Sequence, residues 1–139
     1  MQRYAFLDFT SDVMFEAYGK DPREMFVNAA SALFSVICEI EEVEPKKRVE
    51  IEVESESLED LLYDWLSTLL TESEINEMFF SKFDIDEMET DARFYLRGRA
   101  HGEAMTVVKG GTLVKGVTYY KLEVRKEKDG IVGKVTLDI

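Results

Sequence analysis

The chain has 139 residues, 45% hydrophobic and 33% charged, with a formal net charge of −12. That is enough apolar material for one core, expected as a single domain over residues 1–139, while so acidic a balance argues against a free-standing nucleic-acid binder, which needs a basic face. One cysteine, Cys38, excludes an internal disulfide and fits a reducing cytoplasm; no run reaches membrane-spanning length, and Met1–Leu7 has no apolar stretch of the kind a signal peptide carries.

Arg3–Asp8, with Tyr4, Phe6 and Leu7, reads as a short strand. Phe9-Thr10-Ser11-Asp12-Val13 then places two hydroxyls and a carboxylate at a chain reversal. Such a cluster can close a turn through side chain to backbone hydrogen bonds. It can equally present hard oxygen ligands to a cation. Val13–Tyr18 alternates, with Val13, Phe15 and Ala17 on one face, and Gly19-Lys20 ends it.

The first helix announces its own start. Asp21 suits the N-cap, Pro22 the first helical position, and Glu24 stands three residues on, as in a capping box. Met25, Ala29, Leu33 and Val36 recur at helical spacing, which predicts a helix over Pro22–Cys38 with its apolar stripe on a sheet. Cys38 falls in that stripe and reads as a buried, inert thiol. Glu39–Lys47 is an acidic turn closed by Pro45. Arg48–Glu54 alternates without fault, with Val49, Ile51 and Val53 inward and three glutamates on a wet face.

Ser57 opens the second helix, with Asp60 three positions later. Leu58, Leu61, Leu62, Trp65, Leu66 and Leu69 line one side, and Trp65 is a core anchor. Thr71–Glu77 reads as a polar loop. Strands follow over Met78–Ile85, Ala92–Ala104, Val114–Arg125 and Ile131–Ile139, with Gly98 and Gly102 as candidate bulges and Lys128-Asp129-Gly130 as a hairpin turn. The order is therefore ββαβα followed by about four strands. This is an α+β pattern: two helices packed on one face of a mainly antiparallel sheet.

Few residues offer chemistry. The one histidine, His101, sits in a strand without a nucleophile beside it, and one Cys with one His disfavours zinc. Lys109-Gly110-Gly111 lacks the following helix of a phosphate loop. Phe79, Phe80, Phe94 and Tyr95 read as core packing rather than an RNA platform. Oxygen chemistry remains. Asp12 follows a hydroxyl pair, Asp138 is penultimate, and Ile139 carries the terminal carboxylate. Brought together, these anions would bind a cation or raise a carboxylate pKa, with Lys115 as compensating charge.

Five stretches in order resemble the archease family. Phe9-Thr10-Ser11-Asp12-Val13 resembles its His-Thr-Ala/Ser-Asp-Val motif. Tyr18-Gly19-Lys20-Asp21 leading into Met25-Phe26-Val27-Asn28-Ala29-Ala30 resembles its first helix, and Ser57-Leu58-Glu59-Asp60-Leu61-Leu62 with Asp64-Trp65-Leu66 its second. Lys115-Gly116-Val117-Thr118-Tyr119 is similar to its Lys-Ala-Val-Thr-Tyr strand, and Val135-Thr136-Leu137-Asp138-Ile139 to its C-terminal strand.

The resemblance implies a non-enzymatic, cytoplasmic protein cofactor of the RNA-splicing ligase that joins 3′-phosphate and 5′-hydroxyl ends. It would promote guanylylation and multiple turnover of that ligase, touching tRNA only through it and no membrane. It also implies a divalent cation (Ca²⁺, Mg²⁺ or Mn²⁺) held by Asp12, Asp138 and the Ile139 carboxylate, with Lys115 as a functional neighbour. Two positions depart from the family: Phe9 and Tyr120 stand where many members have histidine. The competing expectations are a metal-dependent phosphoesterase and a general protein or RNA chaperone.

Overall fold

The computed structural model describes residues 2–7 and 12–139. Phe9, Thr10 and Ser11 of the opening motif lie outside the described residues. The elements are β1 (Tyr4–Leu7), β2 (Val13–Gly19), α1 (Pro22–Ile37), a 3-10 turn (Ile40–Glu42), β3 (Lys47–Ser55), α2 (Leu58–Asn76), β4 (Met78–Thr90), β5 (Phe94–Ala104), β6 (Gly116–Glu127) and β7 (Gly130–Asp138). The order ββαβα plus four strands is the one the residue pattern predicts.

Both helices begin as their caps dictate. The Asp21 carboxylate accepts the Glu24 N–H at 2.9 Å, and Glu24 Oε1 accepts the Lys20 N–H at 2.7 Å. Ser57 Oγ accepts the Asp60 N–H at 3.1 Å. The expected loop over Thr71–Glu77 is a correction, because α2 continues to Asn76 and ends on Glu77 in the left-handed region (φ 52°). Leu69, Leu70 and Ser73 are buried on the inner side. The polar residues that looked like a loop are the helix's outer face.

The strands form two antiparallel ladders, β1-β2-β7-β6 and β3-β5-β4. α1 packs on β2 and β4 and α2 on β3 and β6, so each helix touches both sheets. Phe15, Ala17, Val135 and Leu137 are fully buried beneath them, as are Trp65, Phe26, Phe34 and Phe80. Trp65 is anchored as well as packed: its Nε1 donates to the Phe26 carbonyl at 3.0 Å. At Gly133 a Cβ would lie 2.7 Å from Met25 Sδ and 3.0 Å from Leu62 Cδ2. That missing side chain is where both helices come down onto β7.

The β3-β5-β4 sheet turns its other face outward. Arg97 and Arg99 of β5 pair with Asp84, Asp86 and Glu87 of β4, and Tyr95 donates to Glu52 of β3 at 2.6 Å. The glutamates of β3 are thus a wet face partly neutralised across strands. The bulges fall in β4, between Phe80 and Lys82 and between Ile85 and Glu87, opposite Gly102 and Gly98.

Two glycine substitutions should separate close approach from open space. A Cβ on Gly102 would sit 1.7 Å from the Phe79 carbonyl oxygen, whereas one on Gly116 meets nothing within 4 Å. Gly102→Ala should therefore destabilise by about 1–3 kcal/mol or more. Gly116→Ala should stabilise by about 0.4–1 kcal/mol through the unfolded chain. Urea denaturation of the two variants checks both.

Candidate functional site

Three strand ends meet at one end of the β1-β2-β7-β6 sheet. Val13 of β2 pairs with Leu137 of β7, which makes Asp12 and Asp138 the next residues beyond that pair. On the other side of β7, Gly116 pairs with Asp138. Just before β6, the Lys115 N–H donates to the Asp138 carbonyl at 2.7 Å. The sequence-predicted residues Asp12, Asp138, Ile139 and Lys115 are thereby neighbours, although the chain separates the first from the rest by its whole length.

Strand alternation decides which side chains share a face. Val13, Leu137 and Val117 are on the helix side. Asp138 and Thr136 are on the opposite side, with Met14 and Thr118 level with Thr136. Asp12 is half-buried, while Asp138, Ile139 and Lys115 are exposed. Among the described residues Lys115 forms no ion pair.

Thr136 is a residue the sequence reading missed. It is fully buried. Its Oγ1 is the one buried side-chain polar atom without a hydrogen-bond partner among the described residues. Thr118 Oγ1 donates to the Thr136 carbonyl at 3.1 Å, which leaves the Thr136 hydroxyl itself unengaged. In Val135-Thr136-Leu137 a threonine is an ordinary strand former. No signal in the pattern marks it.

An unpartnered buried hydroxyl costs about 1–3 kcal/mol. Here it lies one step inward from Asp138 on the same face. The donors at this end are carboxylate and hydroxyl oxygens, the set that suits a hard divalent cation rather than zinc or copper. Among the described residues, no three His, Cys, Asp or Glu side chains gather as a metal-binding group. Among the described residues, side-chain carboxylates alone therefore form no cation cage.

Tyr120, at one of the departing positions, lies in a bulge of β6. Between the Thr118–Thr136 and Glu123–Lys134 pairs, Tyr119–Leu122 face a single residue of β7, and Lys121 takes a φ of 53°. Tyr119 stacks on Tyr63 of α2, with ring centroids 4.0 Å apart. Tyr120 itself is 52% exposed.

Other groups with chemical potential are committed elsewhere. His101 Nε2 lies 2.9 Å from Asp84 Oδ2 on the charged sheet face. Burial, with Glu39 second, pushes the Cys38 thiol up to about 12, so it stays protonated and inert. A cavity of about 490 Å³ opens at the far end of the sheet, lined by Glu16, Tyr18 and Arg125 among others. Arg125 there is held by Glu16 at 3.1 Å and Glu123 at 2.9 Å, and Tyr18 donates to Glu16. Its one arginine is thus matched by carboxylates of β2 and β6.

A family model described as the archease protein family (MTH1598/TM1083) matches residues 4–139. A protein archease of Methanosarcina barkeri is 38% identical over 141 aligned positions, covering 99% of this chain and 97% of its own. One from Methanothermobacter thermautotrophicus is 38% identical with both chains covered completely. The solution structure of Methanobacterium thermoautotrophicum protein 1598 superposes with a TM-score of 0.87 at 36% identity over the full length of both chains. A Thermotoga maritima crystal structure described as an archease, possible chaperone, has a TM-score of 0.69 at 19% identity and shares the fold.

The unengaged hydroxyl makes a stability prediction that needs no ligand. In chelator, Thr136→Val should melt no lower than wild type, because it removes an unsatisfied polar atom at nearly constant volume. Thr118→Val, which loses a formed hydrogen bond, should cost about 0.5–1.5 kcal/mol. Differential scanning calorimetry of both variants in EDTA tests the contrast.

Proposed function

Since the chain belongs to the archease family, we propose that it is a non-enzymatic activator of the RNA-splicing ligase, acting in tRNA splicing and RNA repair by promoting the ligase's guanylylation and its multiple turnover. In this reading a divalent cation, Ca²⁺, Mg²⁺ or Mn²⁺, is held by Asp12, Asp138 and the Ile139 carboxylate. The observation that carries it is the strand register at the end of β7. Asp12 and Asp138 each lie one residue past the Val13–Leu137 pair, with the Lys115 backbone bonded to Asp138. The unengaged Thr136 hydroxyl on that face is a further oxygen that fits a cation.

A bound cation would supply positive charge for phosphate oxygens. The chain's own residues do the positioning. β2 and β6 clamp β7 from both sides, so Asp138 cannot shift without breaking ladder hydrogen bonds. Asp12 is attached directly to the start of β2 at Val13. The exposed Lys115 ammonium adds a mobile positive charge beside fixed anions, suited to meeting phosphate. Rigid carriage on strands is what a site needs if it is to act by orienting groups. Phe9 and Tyr120 are not among the proposed donors.

The test is single-turnover guanylylation of the cognate ligase. Wild type should accelerate it, and Asp12→Ala and Asp138→Ala should each lose at least tenfold of that acceleration. Equal stimulation by all three proteins would refute the site; no stimulation by wild type would refute the function. A separate readout concerns the cation alone. At a hundredfold excess over its dissociation constant, Ca²⁺ should stabilise wild type by about 2.7 kcal/mol. Asp138→Asn should show little of that shift.

A further inference from the structure

The four most exposed large apolar side chains among the described residues lie on the β5–β6 connection and the nearby end of α2. Val107 is 98% exposed, Val108 89%, Leu113 77% and Ile75 71%. Ile75 is at the end of α2, and the others belong to the connection between β5 and β6. Beside them is a cavity of about 240 Å³, lined mainly by apolar residues that include Ile37, Leu70, Phe79, Met105 and Val114. Exposed apolar groups in a contiguous set mark an interaction surface, whereas single ones do not.

The connection that displays them is fastened along its length. Met105 N–H donates to the Glu77 carbonyl at 2.9 Å, Gly111 to Ile37 at 2.8 Å and Thr112 to Val36 at 2.9 Å, while the Lys109 carbonyl accepts from Glu39 N–H at 2.8 Å. The Lys109 ammonium binds Glu103 at 2.8 Å. That ammonium and the Glu44 N–H hold the Glu103 carboxyl below the usual carboxylate range, so the clasp stays closed near neutral pH. Val107 and Val108 thus stand on a pinned turn. Valine has one strongly preferred rotamer in most settings. Little entropy would be lost in seating them in a partner.

Charge says what kind of partner. The charged side chain lining the cavity is Glu74, and Glu77 and Glu39 bracket the connection. The nearby Lys109 is already neutralised by Glu103. A second copy would set these acids against their own kind on a chain of net charge −12.

We propose that this end is a docking surface for a protein partner that offers an apolar socket flanked by basic side chains, with Val107 and Val108 as the anchors. Taking that partner to be the RNA ligase rests on the function proposed above. The connection runs through Val114 directly into Lys115, whose N–H is bonded to Asp138. The docking surface and the carboxylate-bearing strand end are thus joined by one short stretch of chain.

The test uses the full chain carrying Val107→Ser and Val108→Ser together. Its melting temperature and its Ca²⁺-dependent thermal shift should match wild type, because both side chains are almost wholly in water. Its dissociation constant for the cognate ligase should rise at least tenfold, and excess protein should restore full guanylylation. Glu74→Lys should also weaken binding. Wild-type affinity in the double variant overturns the docking surface and leaves the proposed function standing. A wild type that does not bind the ligase overturns both. A wild-type dimer that the double substitution dissociates assigns the face to a second copy and overturns the basic partner. Tighter binding by Glu74→Lys overturns the charge argument.

Discussion

β7 lies between β2 and β6, and the rest of the structure depends on that insertion. Its backbone is hydrogen-bonded on both sides, and its inward residues Ile131, Val135 and Leu137 are buried under the helices. Gly133 supplies the gap into which Met25 and Leu62 fit. Without β7 the sheet would fall into separate pieces, β1-β2 and β6, and α1 and α2 would lose the floor on which they meet. The same clamping fixes Asp138 at the strand's end. Stability and site geometry are two results of one pairing.

An acidic chain has many carboxylates, and several of them carry structural roles. Asp21 and Glu24 cap a helix. Asp84, Asp86 and Glu87 are matched to Arg97 and Arg99, and Glu16 and Glu123 hold Arg125. At the end of β7, Asp12 and Asp138 follow the Val13–Leu137 pair, Lys115 forms no ion pair among the described residues, and the buried Thr136 hydroxyl has no partner there. Of these only the Thr136 hydroxyl is buried, and an unpartnered buried hydroxyl is costly. That orphaned hydroxyl, one step inward from Asp138, is what sets this end apart as the candidate site.

Much of the fold was legible because local chemistry and tertiary packing agree. Asp21-Pro22 and Ser57 are caps in the sequence and in space. The alternation of Arg48–Glu54 is a strand with one wet face. The misreading of Thr71–Glu77 came from composition: a stretch polar apart from Ile75 looks like a loop until Ser73 is seen buried on the helix's inner side. The expected helix-covered antiparallel sheet is divided into two ladders, a distinction that side-chain periodicity does not encode. For the site, Asp12 and Asp138 could be named from their residue types and from family resemblance. Their adjacency depends on a register between distant strands, and nothing local specifies it. Thr136 was invisible for a related reason, since being unpartnered is a property of surroundings rather than of sequence. Phe9, Thr10 and Ser11, on which the opening motif turned, lie outside the described residues.

The seam between β2 and β7 also bears on how the molecule assembles. β4 with β5 and β6 with β7 are hairpin neighbours that can form over short loops, but Val13 and Leu137 come from opposite ends of the chain. Closing so long a loop spends entropy before any contact repays it. Asp12 and Asp138 become neighbours only in chains where that long-range closure has occurred. Cation binding at this seam would therefore report completion of the whole topology, something no hairpin or helix in the protein could signal by itself.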